Sequence, residues 1–180
     1  MKYVKPLKLF SELLKKDAIQ QRRLLGLDVG NKYVGLAVSD PLNIVACPLS
    51  VLMRTKDDID LMASDFQTMI SELSVSGFVV GCAFDRFGKC PDVAQVKIFI
   101  DDLCKTGKLE GLKYTFWNES LTSKAAELLL KPLKLHPVMS KAILDKFAAV
   151  GILQDYLDTL NRSMKLKSVT RARHSRIWRL

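Results

Sequence analysis

Leu24-Leu25-Gly26-Leu27-Asp28-Val29-Gly30-Asn31-Lys32-Tyr33-Val34-Gly35-Leu36-Ala37-Val38-Ser39-Asp40 reads as an apolar strand, a tight turn and a second apolar strand. Leu24, Leu25, Leu27 and Val29 are too continuously apolar for a half-solvated strand, which places this strand in the middle of a sheet covered on both faces. Asp28 is then an ionisable group at the end of a core strand. A lone buried carboxylate costs several kcal/mol or raises its pKa, so such an acid is paired, hydrogen-bonded or bound to a metal. Gly30-Asn31 supplies residues that tolerate positive φ in a two-residue hairpin turn. Gly35 leaves space beside Asp28.

Outward from this hairpin, Ile44–Leu49 reads as a third strand, with Pro48 marking an edge or a strand end. Ile59, Met62, Ala63, Phe66, Met69, Ile70 and Leu73 recur at helical spacing over Asp57–Leu73. Gly77 is the expected stop, and Phe78–Ala83 is a fourth, buried strand. Pro91 suits the first turn of a helix running to Lys105. Lys113–Trp117 is a fifth strand, and Thr122 or Ser123 caps a helix over Lys124–Leu130. Pro132 and Pro137 make 131–140 a loop, followed by a last helix from about Lys141 to Leu160. The expected fold is therefore an α/β domain with a five-stranded mixed sheet, a three-strand antiparallel meander plus two parallel strands, flanked by helices. The expected organisation is a basic N-terminal extension over 1–23, one domain over 24–160 and a basic C-terminal tail over 161–180.

The net charge of +9 in 180 residues is unevenly spread. Residues 1–23 carry +5, residues 161–180 carry +7 with no acid, and the body between them is −3. Positive ends on a slightly acidic body suit contact with a phosphate backbone by flexible arms. Lys32 in the hairpin, Lys131 and Lys134 in the loop, and Arg171, Arg173 and Arg176 in the tail are the candidate nucleic-acid contacts. Leu7–Gln21 reads as an amphipathic helix or a disordered lead-in, with Leu9, Phe10, Leu13 and Leu14 as its apolar stripe. No apolar run reaches the roughly 18 residues of a membrane span. The N-terminal segment lacks a secretory signal, so the expected location is cytoplasmic, with an organelle as the alternative if the extension is a presequence. Cys47, Cys82, Cys90 and Cys104 have no C-x-x-C spacing and read as buried reduced thiols.

Three acids stand where a core residue is expected. Asp28 is the first. Glu119 follows the apolar strand at a strand end leading into a capped helix, where α/β sheets place ligand groups. Asp145 shares a helix face with Ala148, Ala149, Ile152 and Tyr156, and the alanines allow a close approach to the sheet. Each has a bland alternative: a solvated strand end for Asp28, and an acid favoured by a helix N-terminus for Glu119 and Asp145. Converging carboxylates, with only His136 and His174 in the chain, describe a Mg²⁺ (or Mn²⁺) site rather than a zinc one. Asp40 and Asp85 are weaker candidates for a fourth ligand.

The stretch Asp-x-Gly-x-x-x-x-Gly-x-Ala-x-Ser-Asp resembles the opening motif of the YqgF/RuvX family, the Holliday-junction-resolvase-like branch of the ribonuclease H fold. Val79-Val80-Gly81, Asn118-Glu119-Ser120-Leu121-Thr122-Ser123 and Asp145-Lys146-Phe147-Ala148-Ala149, running on to Ile152-Leu153-Gln154-Asp155-Tyr156-Leu157, are similar to its later segments in the same order. The resemblance spans 24–160 and implies an RNase H-like fold, with Asp28, Glu119 and Asp145 as catalytic, metal-holding acids. It further implies a nuclease acting on structured RNA in the processing of pre-16S-type ribosomal RNA. The alternatives are a resolvase of branched, four-way DNA and a catalytically silent RNA-binding protein on the same fold. Asn118 and Ser120 stand where the family has Asp and Arg, removing one acid and one phosphate-clamping base. Cys82-Ala83 replaces its Leu-Pro, and Phe87 stands where an Asp-Gly turn is usual. Phosphate-binding hairpins of actin-like ATPases also open with Asp-x-Gly, but 180 residues are too few for their two domains.

Overall fold

A computed structural model describes residues 1–15, 22–54, 58–82, 91–118 and 137–177. The elements in order are β1 (Lys2–Tyr3), α1 (Pro6–Lys15), β2 (Arg23–Val29), β3 (Tyr33–Ser39), β4 (Ala46–Met53), α2 (Ile59–Leu73), β5 (Val75–Cys82), α3 (Pro91–Lys105), β6 (Lys113–Asn118) and α4 (Pro137–Ile177). They form one mixed sheet in the order β1-β6-β5-β2-β3-β4. The β2–β3–β4 meander is antiparallel, while β5 pairs parallel with β2, and β6 parallel with β5. As the apolar run requires, β2 is central.

The sheet has six strands rather than five. The additional strand is β1, which pairs parallel with β6 through Lys2 to Lys113 and Tyr3 to Tyr114. Residues 1–15 are thus not an appendage to the fold. Leu9 and Phe10 of α1 are 2% and 0% exposed, each burial contributing about 2 kcal/mol. Leu13 packs partly against the same core, whereas Leu14 of the expected stripe is exposed.

Strand alternation divides the core between two faces. Leu25, Leu27, Phe78 and Val80 meet Met62 and Phe66 of α2 and Phe99, Ile100 and Leu103 of α3. On the other face Leu24 and Val79 meet Leu9 and Phe10 of α1 and Ala149, Ile152, Leu153, Tyr156 and Leu157 of α4.

Several boundaries differ from the sequence reading for local reasons. The β2–β3 connection uses Gly30, Asn31 and Lys32, and neither Gly30 nor Asn31 has positive φ. The Gly30 N–H donates to the Tyr33 carbonyl at 2.9 Å. A Cβ at Gly30 would come within 3.0 Å of that carbonyl oxygen, so glycine is needed there for close approach. Ile44 and Val45 lie outside β4, because the Asp40 carboxylate takes both of their N–H groups at 2.6 and 2.8 Å. α2 ends at Ser74 in the left-handed region (φ 55°), whose N–H donates to the Ile70 carbonyl. Gly77 instead lies inside β5, where a Cβ would meet Leu9 Cδ1 at 2.8 Å. α4 begins at Pro137, inside the expected 131–140 loop, and continues past Leu160 through the basic residues to Ile177, so the tail backbone is helical to that point. The helix expected over Lys124–Leu130 lies outside the described residues. Of the cysteines, Cys82 is buried, Cys104 is half-buried and Cys47 is exposed; none of the three is in a disulfide, and Cys90 lies outside the described residues.

At Gly26 the helix α4 packs directly on the backbone of the sheet. A Cβ there would lie 2.7 Å from Leu153 Cβ and 3.0 Å from the Ala149 carbonyl oxygen. Gly26→Ala is expected to destabilise the protein by about 2 to 3 kcal/mol in urea unfolding, because α4 has to lift. Gly107→Ala, at φ +71° with no atom within 4 Å, is expected to cost only about 1 kcal/mol of left-handed strain.

Candidate active site

Asp28 lies at the C-terminal end of β2, cross-strand from Gly35. Residues 24, 26 and 28 share one face of a strand, and Leu24 packs in the α1/α4 layer, so Asp28 is on the α4 side of the sheet. It is half-buried.

α4 runs antiparallel to β2. Its Asn161 side-chain amide donates to the Asn43 carbonyl at 3.0 Å, and Asn43 Nδ2 donates to the Arg22 carbonyl just before β2. Leu153 and Ala149 then sit over Gly26, midway along the strand. One helical turn before Ala149, about 6 Å towards the start of α4, is the backbone of Asp145. Two residues beyond Gly26, about 7 Å along β2, is Asp28. The helix and the strand therefore bring these positions to the same end of the sheet.

β6 ends at that level as well. Leu27 pairs with Val80, Val80 pairs with Phe116, and Cys82 pairs with Asn118. Trp117 ties this strand end to α4: its indole N–H donates to Asp155 Oδ2 at 2.7 Å, and its ring meets Tyr156 edge-on with centroids 5.2 Å apart. Glu119, the residue after β6, lies outside the described residues, as does the side chain of Asp145. Among the described residues no group of three or more His, Cys, Asp or Glu side chains could hold a metal ion; the expected trio extends beyond them. What is described of the trio is compatible with a hard cation: an oxygen donor on the α4 side of the strand end, facing a cross-strand glycine.

Lys32 is exposed in the β2–β3 turn at this same end. Lys131, Lys134 and the weaker acidic candidate Asp85 lie outside the described residues. Arg171, Arg173 and Arg176 are on the last turns of α4, with side chains outside the description. Arg54, which sequence reasoning missed, follows β4 and also belongs to this end. Its N–H donates to the Lys32 carbonyl at 2.7 Å and its Nη1 to the Gly30 carbonyl at 3.1 Å, while its guanidinium covers the Phe99 ring at 5.1 Å. An isolated Arg between a strand and a helix carries no periodic signal that would have marked it.

Asp40 is corrected as a fourth ligand. It follows β3, which runs antiparallel to β2, so it sits at the opposite end of the sheet from Asp28. Its carboxylate is occupied by the N–H groups of Ile44, Val45 and Leu42, the last at 3.3 Å. Burial pushes this carboxyl up, but the bonds from Val45, Ile44 and Leu42 outweigh it and hold the group below its ordinary value of 3.8.

The profile of the RuvX family, described as Holliday junction resolvase, matches residues 22–159. A protein of Caldicellulosiruptor saccharolyticus is 35% identical over 144 residues, covering 77% of this chain and 99% of that one. A protein of Rhodobacter capsulatus is 36% identical over 138 residues, covering 76% and 84%. Both bear the name "Putative pre-16S rRNA nuclease". Among solved structures, Thermus thermophilus RuvC aligns with a TM-score of 0.49 at 11% identity, over 77% of this chain and 96% of that one. No helix among the described residues is long and apolar enough to cross a membrane.

The depressed Asp40 carboxyl contributes stability that is present above pH 3.8 and lost as pH falls through its folded-state value. Asp40→Asn is therefore expected to unfold about 1 kcal/mol more easily in urea near neutral pH. That gap is expected to narrow when the same titrations are run at about pH 3.

Proposed function

The chain belongs to the RuvX family, and we propose that it is a divalent-metal-dependent nuclease of RNase H-like fold hydrolysing phosphodiester bonds of structured RNA in pre-16S-type ribosomal RNA processing. The observation that carries this reading is the meeting of Asp28 with the early turns of α4 and the exit of β6 at one end of the sheet. Asp28, Glu119 and Asp145 are the residues that would hold Mg²⁺ (or Mn²⁺). Carboxylates drawn together repel one another, and a divalent cation resolves that repulsion. When bound, the metal supplies positive charge to the scissile phosphate and lowers the pKa of the attacking water.

The protein's own part is positioning. The tight seat of α4 on Gly26 and the Trp117–Asp155 bond fix α4 relative to β2 and β6, so that oxygen donors meet the substrate with little reorganisation. Lys32 and the basic residues Lys131, Lys134, Arg171, Arg173 and Arg176 contact the phosphate backbone, which sets affinity without reading sequence.

The family description favours a second reading, resolution of four-way DNA junctions by the same acids. Asn118 and Ser120 favour a third, a silent RNA-binding protein. Parallel cleavage assays on structured RNA and four-way DNA, with Mn²⁺ titration, separate the three.

Asp28→Asn is expected to reduce cleavage of a structured precursor RNA more than about a hundredfold, with the melting temperature little changed. Full activity in that variant overturns the mechanism. Replacing Arg171, Arg173 and Arg176 together by Gln is expected to weaken RNA binding and to lower the slope of log affinity against log salt by about 2.

A further inference from the structure

The β1–β6 edge carries three aromatic rings on the α2/α3 side of the sheet. Tyr3 of β1 is the register partner of Tyr114 on β6. Their ring centroids are 5.8 Å apart and tilted at 66°. Tyr3 also stacks on Phe116, at 6.0 Å and 30°, and Tyr114 meets Phe116 edge-on at 5.6 Å. Tyr114 and Phe116 pack partly against the core of this face, whereas Tyr3 is 50% exposed. The inner two rings are thus held rigid by the core, and the outer one presents a flat apolar surface to water.

The surroundings indicate what that surface fits. Lys2 and Lys5 lie within two residues of Tyr3 in the chain and are exposed, and residues 1–23 carry +5 overall. Asp101 of α3 is an acid on the ring side, acting together with Cys104 on the Tyr114 hydroxyl, which burial above all pushes up, so that ring stays neutral. Aromatic faces next to a basic segment are the chemistry of single-strand binding: the rings stack bases of any sequence and the lysines follow the phosphates. The direction is also informative. From Tyr114 to Phe116 the rings climb β6 towards Asn118, the strand end that leads to Glu119.

We propose that Tyr3, Tyr114 and Phe116 form a stacking platform for the unpaired bases of single-stranded RNA, which feeds the strand along β6 to the acidic end of the sheet. This rests on the nuclease reading above. Tyr3 and β1 precede residue 22, where the family match begins, so the outer ring of the platform comes from outside the matched span, whereas Tyr114 and Phe116 lie within it.

Binding is measured on the full-length Asp28→Asn protein, where cleavage does not interfere, by fluorescence anisotropy with a labelled oligouridine, an oligothymidine and a blunt RNA duplex. Tyr3→Ala in that background is expected to weaken both single strands about tenfold and to leave the duplex unchanged, while Tyr3→Phe retains binding. An oligouridine carrying 5-iodouridine is expected to photocrosslink to the peptide holding Tyr3, a readout that does not depend on how well the alanine variant folds. Unchanged single-strand affinity in Tyr3→Ala, an equal loss on the duplex, or crosslinks confined to other peptides overturns the platform. Retained nuclease activity in Asp28→Asn alone overturns the hydrolytic reading instead.

Discussion

The contact between α4 and the backbone of β2 at Gly26 sets the height of the helix above the sheet. No side chain separates them, and the Leu153 Cβ occupies the space a residue other than glycine would need. A short Asp side chain reaches little more than a few ångströms from its own backbone, so carboxylates on opposing elements meet only where those elements are pressed together. The same closeness explains the small residues Ala148 and Ala149 on α4, both fully buried. Interiors are packed too tightly for the helix to rise without loss along its whole length.

The two strand-end acids of the β2–β3 hairpin illustrate how position decides chemistry. Asp28 and Asp40 both follow apolar runs and are both half-buried, yet they lie at opposite ends of the sheet. Asp40 is surrounded by backbone amides of its own loop, which also gains the Asn43 network: Ser39 Oγ donates to Asn43 Oδ1 at 2.7 Å and accepts the Leu24 N–H at 2.8 Å. Its charge is spent on shaping a turn. Asp28 lies where β2, β6 and α4, from three separate parts of the chain, come to one end of the sheet.

How far this was legible in the sequence follows from which interactions are local. The central position of β2, the meander and the helices α2 and α3 were readable because continuous apolar runs and helical periodicity report burial directly. The third strand was placed too early because Ile44 and Val45 look like strand residues, and only the Asp40 carboxylate, four and five residues earlier, withdraws their N–H groups. The N-terminal residues were set apart because a two-residue strand has no periodicity; its pairing partner lies more than a hundred residues away. The three acids were singled out by their misfit with the apolar pattern, and of them only the side chain of Asp28 is among the described residues. Arg54 fits no pattern, and it acquires meaning only where the turn at Gly30 and the ring of Phe99 converge on it.

The meeting of α1 and α4 constrains how the molecule is made. The Tyr156 hydroxyl donates to the Pro6 carbonyl at 2.8 Å, and its ring packs edge-on against Phe10. Until α4 leaves the ribosome, Leu9 and Phe10 have only their sheet neighbours Leu24 and Val79 and lack their α4 partners, and closing so long a loop is slow relative to local folding. The strands and α2 and α3 can be laid down during synthesis, but the face bearing Asp28 lacks its α4 cover until residues 137–177 have been translated. A ribosome stalled short of α4 would therefore release a sheet with one apolar side covered by α1 alone.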